Sequence, residues 1–230
     1  MKSVCYCMTR NLYGRVIPSI KSVLFHHPDA KIYLFIEDDD IEHYVPANVK
    51  CVNVSDQKFF LRSSPNWNNP WTYMSMMRVA VCHLLPDLDR ILYLDVDTIV
   101  DGDIGELFEM DLKDNYFAGV EETYRKFPVY HYYNAGVLVF NLEKMRDGKA
   151  DEIIQRLNRQ RIQFVEQDCL NLHCEGKILP LPSKFNVCRM SDPTDEKLIH
   201  HFAGKHAWFE NEPVVKKYKN MEWSMIHGSV

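Results

Sequence analysis

An α/β fold built on a sheet of parallel character is what this sequence predicts. Three observations predict it. Strand-like and helix-like segments alternate along the chain, the strand-like runs are apolar at nearly every position, and two of them end abruptly in acidic residues. With 230 residues, 46% hydrophobic and 26% charged, the chain is long enough to bury roughly 70–75% of its unfolded surface.

Residues 3–8 read as the first strand. Residues 15–26 follow as a helix, with Val16, Ile17, Ile20, Val23 and Leu24 on one face and Pro18 in the opening turn. Residues 31–36 have the composition of a strand covered on both sides and run into Glu37-Asp38-Asp39-Asp40. Residues 51–54 form a short third strand, and residues 56–71, with three Asn, two Pro and two Trp, form a loop carrying large side chains. Helical spacing returns over 73–85, and 91–94 is a buried strand ending at Asp95. Strands follow at 116–120 and 136–140, then a charged surface helix over 151–161, late strands at 177–181 and 198–202, and a closing helix over 214–225. Residues 1–210 read as one domain; residues 211–230, entered through Asn211-Glu212-Pro213, read as a short helical tail. In that tail Lys216, Lys217 and Lys219 stand near Trp223, Met225 and Ile226, a composition that allows at most weak contact with a membrane surface; packing against the domain is the expectation at this length.

Lys and Arg total 27 against 32 for Asp and Glu, a net charge of −5, which argues against nucleic acid as a partner. Gly at 9, Pro at 11 and 12% aromatics exclude collagen and low-complexity chains. Seven cysteines without a CxxC pair read as reduced core residues of a cytoplasmic protein. Cys5 and Cys7 share one face of the first strand, and no further pair follows at zinc-finger spacing. No apolar run approaches the ~18 residues of a membrane-spanning helix, so a soluble protein is expected.

The run from Ile91 to Val100 places Asp95 and Asp97 in otherwise apolar sequence. At i and i+2 on a strand both carboxylates would leave on the same side, roughly 6–7 Å apart. Such a pair repels itself unless a cation shares the site, and a hard divalent metal does so. Carboxyl ends of strands in open α/β sheets are also where ligands bind. Two classes of enzyme place a DxD there. Haloacid-dehalogenase-type phosphohydrolases normally carry theirs on the first strand and have Thr or Val where this chain has Ile99; metal-dependent nucleotide-sugar transferases hold an ion against a diphosphate. A strand end merely solvated by Asp95 and Asp97 is the bland alternative.

Downstream come Tyr133-Asn134-Ala135-Gly136-Val137-Leu138, then Glu166-Gln167-Asp168-Cys169, then His201-Phe202-Ala203-Gly204-Lys205-His206-Ala207-Trp208. Together with the DxD, in this order and spacing over about residues 3–208, the set resembles glycosyltransferase family 8. The resemblance implies a GT-A fold with a mixed central sheet flanked by helices. It also implies transfer of a hexose, glucose or galactose, from a UDP-sugar to a glycan, lipid-linked or protein acceptor, with retention of configuration and with Mn²⁺, or else Mg²⁺, as cofactor. Carried over, Asp95, Asp97 and His201 are the metal ligands; two oxygens and an imidazole suit Mn²⁺ better than Mg²⁺. His200 would face the other way on a strand. Arg78 resembles the arginine that reaches the donor's phosphates and sugar. Asn134 and Ala135, with Val96 between the two aspartates, fall where the donor binds, Gln167 and Asp168 beneath its anomeric carbon, and Gly204 and Lys205 near its phosphates. Glu121 takes the place of an acidic residue lining the acceptor cleft. Two departures stand out: Thr9-Arg10-Asn11-Leu12-Tyr13 keeps an Asn and a Tyr for uracil and ribose but lacks the usual acidic pair, and the block after His201 is one residue short. A non-catalytic relative that binds nucleotide sugars or glycans is the remaining alternative.

Overall fold

The computed structural model describes residues 1–37, 48–123, 131–204 and 209–226. Strands β1 (Ser3–Met8), β2 (Lys31–Ile36), β3 (Val49–Asn53), β4 (Arg90–Leu94), β6 (Phe117–Glu121), β7 (Tyr133–Asn141) and β8 (Ile178–Leu181) form one sheet in the order β3-β2-β1-β4-β7-β6-β8. β7 runs antiparallel to both its neighbours, β4 and β6, while every other pairing in the sheet is parallel. The sheet is therefore mixed, with one reversed strand next to its central strand β4. A separate antiparallel ribbon joins β5 (Thr98–Val100) to β9 (Ile199–His201).

Alternation along the strands builds two cores. Cys5, Cys7, Tyr93, Leu138 and Phe140 pack on one face under α2 (Tyr73–Leu84), α5 (Ala150–Arg159) and α6 (Val165–His173). Val4, Tyr6, Met8, Leu92, Leu94, Val137 and Val139 pack on the other face, against α1 (Tyr13–His26) and the short α3 (Gly105–Glu109). Period-2 strands buried on both faces explain why these runs are apolar throughout. α2 is buried on nearly every side, including Met74, Met76, Met77, Val79 and Ala80, as a helix lodged between sheet and outer helices must be.

All seven cysteines are free, and five are buried. Burial pushes the Cys5 and Cys7 thiols well above the ordinary range, so both stay neutral and behave as small apolar groups. α1 begins at Tyr13, two residues ahead of its expected start, which moves Pro18 from the opening turn into the helix interior. The expected closing helix is shorter: α7 spans Pro213–Lys219, and a 3₁₀ turn at Trp223–Met225 follows. Its Val215 and Tyr218 pack with Ile99 and Phe209, while Lys21 Nζ donates to the Met221 carbonyl at 2.6 Å and lies 5.1 Å from the Trp223 ring. The apolar side of the tail is thus used in packing. Among the described residues no helix is long and apolar enough to cross a membrane. The short α4 (Leu142–Lys144) runs into a π-helical turn at Met145–Lys149 before α5. α6 has no counterpart among the expected elements.

Candidate active site

β4 ends at Leu94 because Asp95-Val96-Asp97 turn the chain into β5. The two carboxylates therefore converge through a turn, not through strand alternation as the spacing suggested. The Asp95 amide donates to the Gly136 carbonyl at 2.8 Å, and the Thr98 hydroxyl donates to the Asp95 carbonyl at 2.8 Å. On the ribbon, Thr98 pairs with His201, which brings the histidine from the far end of the sequence to the two aspartates. His201 Nε2 lies 3.5 Å from Asp97 Oδ1 and 3.7 Å from Asp95 Oδ2. One ligand atom from each residue lies within 4.8 Å of the other two. His200 points away, its ring stacked on Phe202.

The surroundings prepare these three side chains. Asp95 Oδ1 accepts from Tyr93 Oη at 2.8 Å and faces Arg78 Nη2 at 3.0 Å, which leaves Oδ2 toward the histidine. Gly136 lies against the His201 ring: a Cβ there would stand 2.7 Å from both ring nitrogens. The imidazole occupies the space that any other residue would fill. Burial works against a charged His201, but Asp97 and then Asp95 outweigh it, and the pKa is raised. Two carboxylates and an imidazole turned inward, with no lysine or arginine between them among the described residues, make a donor set that fits a divalent cation.

Arg78 is held on all sides. Its Nε donates to the Ser75 carbonyl at 2.9 Å, Nη1 to the Ala135 carbonyl, and Nη2 sits 3.2 Å from Glu166 Oε1, while the guanidinium covers the Tyr93 ring at 4.4 Å. Burial opposes its charge; Asp95, Tyr93 and Glu166 overcome that and raise its pKa. Glu166 is raised by burial, against the pull of Arg78 and of the Ser75 hydroxyl that donates to it at 3.0 Å.

A cavity of about 590 Å³ opens over this group, lined by Trp71, Arg78, Asp95, Asp97, Glu122, Asn134, Ala135, Gly136, Phe164, Glu166, Gln167, Arg189, Met190, His201, Ala203 and Gly204. Gln167 Oε1 accepts from the Ala135 amide at 2.9 Å, and its Nε2 donates to Glu122 Oε1 at 3.1 Å. Asn134 Nδ2 donates to the same oxygen at 2.8 Å. Four carboxylates thus face two arginines, an anionic excess that calls for a cation.

A profile of glycosyl transferase family 8 matches residues 3–212. The chain belongs to that family. Glycosyltransferase GlyF of Streptococcus pneumoniae is 25% identical over 90% of this chain and 58% of its own length. Lipopolysaccharide 1,3-galactosyltransferase of Salmonella typhimurium is 30% identical over 90% of this chain and 73% of its own. The crystal structure of glycosyltransferase GlyE of Streptococcus pneumoniae superposes with a TM-score of 0.78 at 21% identity, over 98% of this chain and 62% of that one. The chain spans about three-fifths of the length of GlyF and of the crystallised GlyE chain. The fold is GT-A, and membership of this family sets the phosphohydrolase alternative aside.

Of the site residues the family resemblance marks, Arg78, Asp95, Asp97, Asn134, Ala135, Gln167, His201 and Gly204 line one cavity. Four others do not line it. Asp168 is turned to its own helix start, Oδ2 accepting from the Phe164 amide at 2.9 Å and Oδ1 from Tyr132 Oη at 2.6 Å. Val96 packs into the core below the turn. Asn11 lies in a 3₁₀ turn beyond β1, and Tyr13 opens α1 and packs on the same core. Lys205 lies outside the described residues. Glu121 bonds to His131 at 2.8 Å, and its neighbour Glu122 is the one that lines the cavity. Trp71, Glu122, Phe164, Arg189 and Met190 are the lining residues that no motif marks.

Proposed function

We propose that this chain is a retaining hexosyltransferase that moves glucose or galactose from a UDP-sugar to a hydroxyl of a glycan or other acceptor, with Mn²⁺ bound by Asp95, Asp97 and His201. The observation that carries the reading is the convergence of those three ligand atoms within 4.8 Å, in a cavity at the carboxyl end of β4. The Salmonella relative is named for galactose transfer, which makes UDP-galactose the first donor to test. Acidic lining favours a diphosphate only when it arrives with a divalent cation, which supplies Lewis-acid neutralisation of the charge on the leaving group.

The chain's own residues do the rest. Arg78, clamped by Asp95 and Glu166, keeps the Asp95 carboxylate turned toward His201. Among the described residues Arg189 has no carboxylate partner, so its charge is available to an anionic ligand. Gln167 and Asn134, fixed by Glu122 and by the Ala135 and Gly136 amides, present a polar floor for the sugar. Gln167 is an amide and a feeble nucleophile, and Asp168 is committed to Tyr132 and Phe164. Same-face attack by the acceptor hydroxyl, with a diphosphate oxygen taking the proton, is therefore the route we favour over a covalent glycosyl-enzyme. Trp71, 47% exposed at the cavity rim, offers a face on which an acceptor sugar can stack. A reducing compartment such as the cytoplasm fits the free cysteines.

Incubation with Mn²⁺ and a panel of nucleotide sugars, reading released UDP, tests the proposal. Turnover of UDP-galactose or UDP-glucose is expected, falling by about 100-fold or more in Asp97→Asn and His201→Ala. Binding of UDP without transfer or hydrolysis would instead identify a non-catalytic relative.

A further inference from the structure

We infer that Asn186 is a positioning residue: its carboxamide presents His201 Nε2 to the cation and ties that ligand to the side chains at the sugar end of the cavity. The inference rests on reading Asp95, Asp97 and His201 as a divalent-cation site. Asn186 is fully buried at 0% exposure, directly after the 3₁₀ turn Ser183–Phe185. The next residue, Val187, bonds to both ends of β9: its amide donates to the Ile199 carbonyl at 2.8 Å, and its carbonyl accepts from the His201 amide at 3.0 Å. Asn186 is thus fixed beside His201 by backbone as well as by side chain.

The direction of each bond follows from one backbone group. The Gly136 amide can only donate, so the Asn134 atom 2.9 Å away is the carboxamide oxygen. Asn134 Nδ2 then faces Glu122 Oε1, an acceptor, at 2.8 Å. The Asn186 atom 2.8 Å from the Asn134 oxygen must be the donor Nδ2. Its Oδ1 is left for His201 Nδ1, also at 2.8 Å. A carbonyl oxygen accepts, so Nδ1 carries the hydrogen, and the lone pair of the neutral ring sits on Nε2, the nitrogen that faces Asp95 and Asp97. A second chain starts at the Ala135 amide, passes through Gln167 and ends on the same Glu122 oxygen. Two successive amides of β7 therefore set the polarity of the whole network. Asn186 itself does not line the cavity, so it acts on ligands through His201 and Asn134.

Two variants separate these links. Asn186→Ala removes both bonds, and Mn²⁺ affinity of the ligand-free protein, read by electron paramagnetic resonance of free Mn²⁺, is expected to fall about 10–100-fold. Asn186→Asp keeps an acceptor for Nδ1–H but turns a carboxylate oxygen toward the Asn134 oxygen. It is expected to hold Mn²⁺ within about threefold of wild type while kcat/KM for the UDP-hexose drops about tenfold or more. A role in stability alone would lower both melting temperatures and leave the Mn²⁺ dissociation constant unchanged. Mn²⁺ binding by Asn186→Ala within about twofold of wild type overturns the inference. Loss of Mn²⁺ by Asn186→Asp overturns it equally, and that variant decides the matter if the alanine protein does not fold. Wild-type protein that binds no more Mn²⁺ than His201→Ala would instead overturn the cation reading beneath it.

Discussion

A methyl group at position 136 would stand where the His201 ring now lies. Gly136→Ala is therefore expected to displace the imidazole, abolish Mn²⁺ binding by calorimetry and cost about 1–3 kcal/mol of stability in urea unfolding. An alanine variant that binds Mn²⁺ like wild type would show that the ring has another place to go. At this scale the proposed metal ligands are legible in the sequence: carboxylates inside an apolar run mark Asp95 and Asp97, and the resemblance to the family's late block marks His201. Asn186 and Glu122 are not. Asn186 stands in a turn with no pattern around it, and its meaning lies in bonds to residues far away in the chain. Glu122 is masked by a bulge: the β6–β7 register shifts between Gly119 and Glu121, so strand alternation does not mark it.

Two helices carry the rest of the site to the carboxyl end of β4. α2 delivers Arg78, whose guanidinium separates Asp95 from Glu166. Arg78→Ala leaves two carboxylates, one of them buried, without their cation and is expected to destabilise the fold by about 3–5 kcal/mol, measured by urea unfolding. Arg78→Lys restores the charge but not the fork and should recover only part of that loss; full recovery would mean that charge alone matters. Both helices begin at non-glycine residues with positive φ, Thr72 at 64° and Val165 at 44°. A β-branched residue in that region is strained, and neither start could be read from propensity. α2 is still legible because its apolar content is high. α6 is not, since buried Glu166 and Asn171 occupy positions where a core-facing pattern would need apolar residues. The strands β1, β2 and β4 are the most legible elements, being apolar throughout and ending in polar turns.

For the molecule as a whole, part of the net charge of −5 falls at the cavity, where four carboxylates meet two arginines. Mn²⁺ at about 100 times its dissociation constant should add about 2.7 kcal/mol of stability and raise the melting temperature by roughly 5–10 °C. His201→Ala should show none of this shift; an equal shift would place the stabilising ion elsewhere. The tail bears on the same region, because α7 packs on Ile99, two residues after Asp97. The β5–β9 ribbon also has a kinetic meaning. Thr98 meets His201 only after a loop of roughly 100 residues has closed, a contact of high order whose entropy must be met before any local gain appears. A nascent chain that has not yet reached residue 201 holds both aspartates and lacks their partner. Capture of Mn²⁺ during refolding would therefore mark the closing of this long-range contact, and its time course would read out when residues 95–98 and His201 have met.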